Sequence, residues 1–252
     1  MTTKTVLITG ATSGIGMACA KLFAKHNYRL ILTGRRQDRL QEIQAELQKQ
    51  AAEVMLLCFD VRNKKEVEDS LNSLPEVWRN IDILINNAGL AVGLSTVSQG
   101  DTDDWERMID TNVKGLLYVS KVISNWMTAQ GFGHIINVSS IAGKESYPNG
   151  AVYCGSKHAV SAISKAMRIE LLPHGIKVST VCPGAVETEF SLVRFKGNQQ
   201  KADEVYNGFE PLRANDVAEA VWFMASRPSH VNIDDLLIMP TAQASARDFH
   251  KN

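Results

Sequence analysis

The chain has 252 residues, long enough to bury a core without disulfides or bound metal and short enough to form one domain. It carries 27 Lys and Arg against 27 Asp and Glu, with no basic run longer than a pair, which argues against a nucleic-acid or membrane-surface partner. The expected partner is a small molecule or another protein.

The amino terminus, MTTKTVLITG, leads directly into a β-rich run and lacks the basic and apolar regions of a signal peptide. No apolar run approaches the roughly 18 residues of a membrane span. The sequence therefore predicts a soluble, cytoplasmic protein. Cys19, Cys58, Cys154 and Cys182 are scattered without metal-ligand spacing, so we expect reduced, mainly buried thiols and no metal site.

Short runs rich in Val, Ile and Leu alternate with longer amphipathic ones along the chain. In order, these predict strand 5–9, helix 15–26, strand 29–33, helix 38–50, strand 54–59, helix 64–73, strand 81–86, helix 103–129, strand 134–139, helix 152–172, strand 177–182, helix 215–226 and strand 236–240. The near-continuous apolar character of the strands indicates burial on both faces. This order predicts an α/β fold: a doubly wound parallel sheet (Rossmann fold) of about seven strands with helices on both faces.

The segment 187–212, ETEFSLVRFKGNQQKADEVYNGFEPL, departs from this alternation because it is polar and irregular. It follows the sixth predicted strand, where a ligand-covering insertion is expected in such a sheet. We therefore predict a single domain over 1–252 with a substrate-loop insertion at about 187–212.

A glycine-rich turn follows the first strand, with the spacing G-x-x-x-G-x-G. A tight turn without Cβ atoms lets the backbone approach a pyrophosphate near the positive end of a helix. Glycines close many βα loops merely by fitting, but the position after strand one favours nucleotide binding. The candidate contacts in this turn are Gly10, Thr12, Ser13, Gly14, Ile15 and Gly16.

The end of the second strand predicts which nicotinamide cofactor is bound. An acid at this place takes the ribose 2′-hydroxyl of NAD, whereas an arginine accommodates the 2′-phosphate of NADP. This chain has Arg35 and Arg36 there and no acid until Asp38, so we predict NADP. The alternative is that one or both arginines are solvated charges that open the next helix.

The third and fourth strands end in candidate adenosine contacts. Asp60 and Val61 end the third strand, and Asp60 could meet an adenine amino group; its alternative is an N-cap of the following helix. Asn87, Ala88 and Gly89 end the fourth strand with polar and small residues where the backbone would pass the adenosine.

A phenol and an ammonium stand four residues apart in VYCGSK. In a helix, Tyr153 and Lys157 share one face, with Cβ atoms roughly 5 to 6 Å apart. Ser140 ends the fifth strand, and Asn112 lies inside the long predicted helix, an unfavourable place for an amide with unused hydrogen bonds. Each residue has a plain structural alternative, but their occurrence together on a predicted nucleotide-binding sheet favours a functional role.

The motifs TGxxxGIG, DV, NNAG, mid-helix Asn, Ser, YxxxK and PG occur in this order, and the chain closely resembles the short-chain dehydrogenase/reductase family over essentially its whole length. The resemblance implies an oxidoreductase in which Tyr153 is the general acid/base and Lys157 lowers its pKa and holds the nicotinamide ribose. It also implies that Ser140 orients the substrate oxygen and that Asn112 supports a water-linked proton relay. Further cofactor contacts implied by the resemblance are Pro183, Gly184, Val186 and Thr188.

Longer stretches, such as TGRRQDRLQEIQAEL and HVNIDDLLIMPTAQ, resemble the NADP-dependent 3-hydroxy acid dehydrogenases. This subgroup acts on serine, allo-threonine and 3-hydroxypropionate-type acids and reduces malonic semialdehyde. Such a substrate carries a carboxylate, and Arg194 or Lys196 could pair with it; the alternative is a solvated charge on a mobile loop. The subgroup is usually tetrameric through helices 103–129 and 152–172, so the resemblance predicts a homotetramer.

Two alternative functions stay open at this point. One is an NADPH-dependent reductase of another carbonyl class, such as 3-oxoacyl thioesters or ketones, because substrate pockets vary on one scaffold. The other is a non-catalytic NADP-sensing binder. The presence of all the predicted proton-handling residues argues against the second.

Overall fold

Strands and helices alternate along most of the chain in a computed structural model that describes residues 3–50 and 52–252. The elements are β1 (Thr5–Ile8), α1 (Gly14–Lys25), β2 (Arg29–Gly34), α2 (Gln37–Gln48), β3 (Val54–Cys58), α3 (Lys64–Asn72), β4 (Ile83–Asn86), α4 (Thr102–Ile109), α5 (Leu116–Gln130), β5 (Gly133–Val138), α6 (Ala151–Leu171), β6 (Ile176–Pro183), β7 (Val186–Glu187), α7 (Glu189–Arg194), α8 (Gln199–Glu204), β8 (Leu212–Arg213), α9 (Ala214–Ala225) and β9 (Asp235–Ile238).

The main sheet has seven strands in the order β3-β2-β1-β4-β5-β6-β9, and its paired strands are parallel. The predicted doubly wound fold is therefore confirmed. The strand order reverses between β1 and β4, and such a reversal opens a crevice at the carboxyl ends of the strands. The candidate site residues follow these strand ends.

The strands are apolar on both faces because each face is covered by helices. Val6 and Ile8 of β1 pack into a core with α1, α2 and α9, whereas Leu7 packs into a second core with α3, α5 and α6. This two-sided burial explains the near-continuous apolar runs in the sequence.

The prediction of one continuous helix over 103–129 is wrong at its centre. A π-helical turn, Asp110–Gly115, separates α4 from α5 and places Thr111 and Asn112 in the interior. Gly115 contributes to this arrangement, because a Cβ there would lie 2.8 Å from Cγ2 of Val61. Such π-helical insertions are frequent at functional sites.

The segment 187–212 is more regular than its composition suggested. It contains α7 and α8, and β7 pairs in parallel with β8. Thr188 caps α7 by accepting a hydrogen bond from the Phe190 amide, and Asn198 caps α8 in the same way from the Lys201 amide. Both helices are too short to produce a recognisable amphipathic period.

Cys19, Cys154 and Cys182 are buried, whereas Cys58 is exposed. Over 3–50 and 52–252, no group of His, Cys, Asp and Glu side chains is arranged to hold a metal ion. Within the same ranges, each helix is too short or too polar to cross a membrane. The predicted domain limits, 1–252, include Met1, Thr2 and Ala51, which lie outside the described residues.

Candidate active site

The glycine-rich turn between β1 and α1 is pressed against the end of β4. Gly10 has a φ of 65°, and a Cβ at this position would lie 2.9 Å from Cα of Ala88. Asn87 fixes the contact by donating from Nδ2 to the carbonyl oxygens of Thr9 and Gly10, at 2.9 and 3.1 Å. Only glycine combines this left-handed backbone with so close an approach. The turn therefore presents bare backbone to the crevice.

Arg36 lies directly over the glycine-rich turn. Its Nε and Nη2 atoms donate to Oγ1 of Thr12 at 3.3 and 3.1 Å. Its Nη1 atom is 3.0 Å from Oε2 of Glu189, the first residue of α7. Arg36 is thus placed between the cofactor end of the crevice and the segment 187–212.

Asp60 pairs with Arg62, whose Nη2 and Nε donate to its Oδ2 at 2.6 and 3.0 Å, and Arg35 lies 3.5 Å away. Burial raises the pKa of Asp60, but the hydrogen bonds and charge of Arg62, with the charge of Arg35, outweigh it and lower the pKa below its usual value. The alternative that Asp60 caps the next helix is wrong. The N-cap of α3 is Asn63, whose Oδ1 accepts from the amides of Lys65 and Glu66.

Tyr153 and Lys157 lie on α6 and are 7 % and 5 % exposed. Lys157 does not bond the phenol directly: its Nζ donates to the carbonyl oxygen of Val138 at 3.0 Å and is 6.0 Å from the centroid of the Tyr153 ring. Ser140 follows β5, where its Oγ accepts from the Ala142 amide at 3.1 Å. The three side chains line one wall of the same cavity.

The protein environment opposes charge on both α6 side chains. Burial raises the pKa of Tyr153, as does the neighbouring Tyr147, while the side chain of Ser140 and the charge of Arg194 act in the opposite direction. Burial lowers the pKa of Lys157 to about 8. Both shifts favour the neutral form of a group removed from water.

Asn112 uses its side-chain amide as a brace. Its Oδ1 accepts from the Leu90 amide and its Nδ2 donates to the Leu90 carbonyl, both at 2.8 Å. Nδ2 also donates to Oγ of Ser156 at 3.0 Å, and Ser156 in turn donates to the carbonyl oxygen of Tyr153 at 2.7 Å. The π-helical turn thus ties the loop after β4 to the first turns of α6, which carry the phenol.

The structure separates the two cations proposed for a substrate carboxylate. Arg194 lines the cavity, and its guanidinium carbon lies 5.4 Å from the centroid of the Tyr153 ring. It also donates to the hydroxyl of Tyr147, and its buried Nε has no hydrogen-bond partner among the described residues. Lys196 points elsewhere: its Nζ is 2.7 Å from Oδ2 of Asp104 on α4.

Two residues at the cavity, Tyr147 and Gln243, were not predicted from the sequence. Tyr147 contacts Arg194 and lines the cavity, and its only signal was an aromatic residue inside the break ESYPNG. Gln243 holds the loop after β6, because its Oε1 accepts from the Ala185 amide at 2.8 Å. A Cβ on Gly184 would lie 2.3 Å from that oxygen, so the loop and Gln243 are closely fitted. Nothing in the run MPTAQ marked this glutamine.

A single cavity of about 620 Å³ joins the cofactor end to the phenol. A glycine cradle lies at one end, and Thr111 contributes a buried hydroxyl without a hydrogen-bond partner among the residues described. These features fit a dinucleotide. Of the predicted residues, Gly16, Asn112 and Lys196 do not line the cavity; those that do are Gly10, Thr12, Ser13, Gly14, Ile15, Arg35, Arg36, Asp60, Val61, Asn87, Ala88, Gly89, Ser140, Tyr153, Lys157, Pro183, Gly184, Val186, Thr188 and Arg194.

Comparison with protein families gives a match to the short chain dehydrogenase model over residues 4–198. An NADP-dependent 3-hydroxy acid dehydrogenase of Escherichia coli is 44% identical over 242 residues, covering 96% of each chain. A sulfoacetaldehyde reductase of Chromohalobacter salexigens is 44% identical over 240 residues, covering 95% of each chain.

Comparison with solved structures gives similarity over nearly the whole chain. A serine dehydrogenase in its closed form, complexed with NADP+, matches with a TM-score of 0.93 and 43% identity, over 98% of this chain and 100% of that one. The shared fold and sequence extend through the segment 187–212 and the carboxyl-terminal strand.

Proposed function

The chain belongs to the short-chain dehydrogenase family, and we propose that it transfers a hydride between NADP(H) and a short 3-hydroxy acid or its 3-oxo counterpart. It is an NADP-dependent oxidoreductase acting on hydroxyl groups. The proposed part is the substrate class, of the serine, allo-threonine and 3-hydroxypropionate type, together with the roles of individual residues.

The cradle formed by Gly10–Gly16 and the residues that follow β2, β3 and β4 would hold the adenosine and pyrophosphate. Arg35 and Arg36 would take the 2′-phosphate, and the loop after β6, held by Gln243, would lie along the nicotinamide. When bound, NADP(H) takes up or supplies the hydride at its nicotinamide ring. The protein must therefore position the substrate carbon and move one proton.

Tyr153 is the proposed general acid/base. In the oxidative direction it accepts the proton of the substrate hydroxyl, and in the reductive direction it returns that proton to the substrate oxygen. Burial alone disfavours the phenolate, so nearby positive charge and hydrogen bonds must compensate. Arg194 and Ser140 already act in this direction, and the Lys157 ammonium, 6.0 Å from the centroid of the ring, is the further positive charge proposed to do so.

One observation carries the substrate class: Arg194 lines the reaction end of the cavity, and its buried Nε has no hydrogen-bond partner in the part of the chain that the structure describes. A guanidinium is suited to bind a carboxylate through parallel hydrogen bonds. Because the guanidinium carbon is 5.4 Å from the centroid of the Tyr153 ring, one short substrate could present its hydroxyl to the phenol and its carboxylate to the arginine. A plain ketone or a thioester would bring no anion to this cation, whose hydrogen bond in the structure goes to the neutral hydroxyl of Tyr147.

A substrate panel tests the proposal. NADP reduction is measured with L-serine, L-allo-threonine, 3-hydroxypropionate and a secondary alcohol without an anionic group. Arg194→Met is expected to raise KM for the acids roughly 10- to 100-fold with a smaller change in kcat, because it removes a charge-assisted hydrogen bond. Lys196→Met is the matched control, since Lys196 pairs with Asp104 outside the cavity. Turnover of ketones or thioesters with no activity on any acid contradicts the proposal.

The mechanism has its own test. Tyr153→Phe keeps the ring but removes the proton-carrying oxygen, so turnover should fall by roughly a factor of 100 or more, the scale of general acid–base catalysis. NADPH binding, measured by fluorescence titration, should persist. Tyr118→Phe on α5 removes a phenol outside the cavity and should leave turnover unchanged. Retained turnover in Tyr153→Phe would rule out the assigned role.

A second substrate class has a specific observation in its favour. The Chromohalobacter salexigens relative is a sulfoacetaldehyde reductase as similar to this chain as the 3-hydroxy acid dehydrogenase is. A sulfonate, like a carboxylate, is an anion that Arg194 can bind. Adding 2-hydroxyethanesulfonate to the panel distinguishes the two classes by their kcat/KM values.

We further propose that the segment 187–212 covers the substrate and that the active protein is a homotetramer. Arg194, Phe190 and Tyr206 of that segment line the cavity, which supports the covering role. Exposed apolar side chains on α5 and α6, Leu117 and Ile169, support an interface there. Because the NADP(H) pool lies inside the cell, we propose that the enzyme acts in the cytoplasm.

A further inference from the structure

The carboxylate of Glu189 lies beside Arg36, where the 2′-phosphate of NADP(H) is proposed to bind. Its carboxylate lies 3.0 Å from Nη1 of Arg36, and the two side chains are 43 % and 41 % exposed. Both residues line the same cavity, at its cofactor end. The other two nitrogens of the Arg36 guanidinium, Nε and Nη2, donate to Thr12. Nη1 is therefore the nitrogen that pairs with Glu189.

The position of Glu189 is fixed by the backbone around it. Thr188 caps α7 by accepting from the Phe190 amide at 3.2 Å. The same Thr188 side chain packs on the glycine-rich turn, where a Cβ on Gly14 would lie 3.3 Å from it. The first residue of α7 is therefore held beside the turn that approaches the pyrophosphate, with its carboxylate facing Arg36.

Arg35 and Arg36 each lie beside a carboxylate, but the carboxylate beside Arg35 is also paired with a second arginine. Asp60, which lies 3.5 Å from Arg35, is bonded more closely by Arg62. Glu189 has Arg36 as its ion-pair partner in the described part of the chain. When a phosphate dianion approaches Arg36, the Glu189 carboxylate must give up this cation or remain close to a second negative charge, and both cost free energy.

We propose that Glu189 is a cofactor-selectivity residue that competes with the 2′-phosphate of NADP(H) for Arg36. This inference rests on the role proposed for Arg36 above. The carboxylate weakens the binding of cofactors that carry the 2′-phosphate and leaves those without it unaffected. Such a residue limits the residence time of NADP(H) without touching the reacting atoms.

The test is equilibrium binding of NADPH and NADH, followed by fluorescence titration at low salt. Glu189→Gln keeps the shape of the side chain and removes its charge. We expect it to tighten NADPH binding roughly two- to fivefold, the scale of one exposed ion pair, and to leave NADH binding unchanged. Glu187→Gln is the matched control, because Glu187 is two residues away, pairs with Arg213 and does not line the cavity.

Arg36→Ala and the double variant Arg36→Ala/Glu189→Gln complete the experiment. In the Arg36→Ala background the effect of Glu189→Gln should become smaller, because the competition for the shared cation is gone and only the repulsion between the carboxylate and the phosphate is left. NADPH binding that is unchanged or weaker in Glu189→Gln, or NADPH and NADH tightened equally, overturns the inference. If Arg36→Ala itself weakens NADPH and NADH equally, the phosphate site proposed for Arg36 fails instead, so the two failures are distinguishable.

Discussion

Lys157 is an ammonium held almost out of contact with water. It is 5 % exposed, and its Nζ donates to the carbonyl oxygen of Val138 at 3.0 Å. Burial lowers its pKa to about 8 from the ordinary value of 10.5. Burying this cation therefore destabilises the folded chain. The proposed partners of Lys157 are the cofactor ribose and the phenol of Tyr153.

This cost makes a pH prediction for the protein without cofactor. Between pH 8 and 10.5 the unfolded chain binds the lysine proton more readily than the folded one, so stability contributed at this site rises with pH in that window and is lowest below it. Lys157→Met should be more stable than wild type at pH 7, and this advantage should shrink by about 2 kcal/mol by pH 10. Thermal or urea unfolding across this range measures the difference.

Lys165→Met serves as the control, because Lys165 is exposed on the same helix and its ammonium stays in water. Its stability difference from wild type gives the baseline for removing an exposed lysine from this helix. If the stability difference between Lys157→Met and wild type does not change with pH, burial does not lower the pKa of Lys157 in the folded chain.

At the scale of elements, the sheet could be predicted because its information is local. The predicted strand 29–33 is Arg29–Gly34 in the structure, where burial leaves an unbroken apolar run. The strand predicted at 54–59 is Val54–Cys58, an edge strand that is equally apolar although only partly buried. The strand predicted at 81–86 begins at Ile83 instead. Its neighbour Asp82 accepts from the Thr5 amide through its side chain, a long-range contact that no local pattern reports.

The prediction of one continuous helix over 103–129 was wrong for the same reason, namely contacts between residues that are distant in sequence. Its interruption depends on Asn112 bonding Leu90 and on Gly115 lying against Val61, and both partners are distant in sequence. Helical periodicity alone continues through the π-helical turn. The mid-helix asparagine was the one local sign that its hydrogen bonds are used elsewhere.

The segment 187–212 shows the same limit at the site. That this segment borders the cavity could be predicted from its place after β6, because connections at the carboxyl ends of the strands lie beside the crevice. Which of Arg194 and Lys196 lines the cavity could not be predicted, because it depends on the pairing of Lys196 with Asp104 of α4. The motif residues converge predictably, whereas Tyr147 and Gln243 reach the cavity through tertiary contacts that their local sequence does not mark.

At the scale of the whole molecule, α6, which carries the phenol, and the long helix α5 both expose apolar side chains. Ile169, near the end of α6, is 71 % exposed, and Leu117 on α5 is 40 % exposed. A further apolar side chain, Phe223 on α9, is 47 % exposed, and α9 packs on the other core through Val217, Val221 and Met224. Two such surfaces are what a tetramer with two kinds of twofold interface requires.

Charge placed on one of these surfaces should therefore separate the proposed tetramer into dimers. In Ile169→Glu, a twofold axis would bring unpaired carboxylates into the same apolar interface, which costs several kcal/mol per interface by the scale of buried charges. Sedimentation velocity should show a species of four subunits for wild type and of two for the variant. Val77→Glu is the control, since Val77 is equally exposed, at 70 %, but lies on the short turn Glu76–Trp78, outside the helices that bear these side chains. A monomeric wild type, or an Ile169→Glu variant that keeps the wild-type sedimentation coefficient, would contradict an interface on α6.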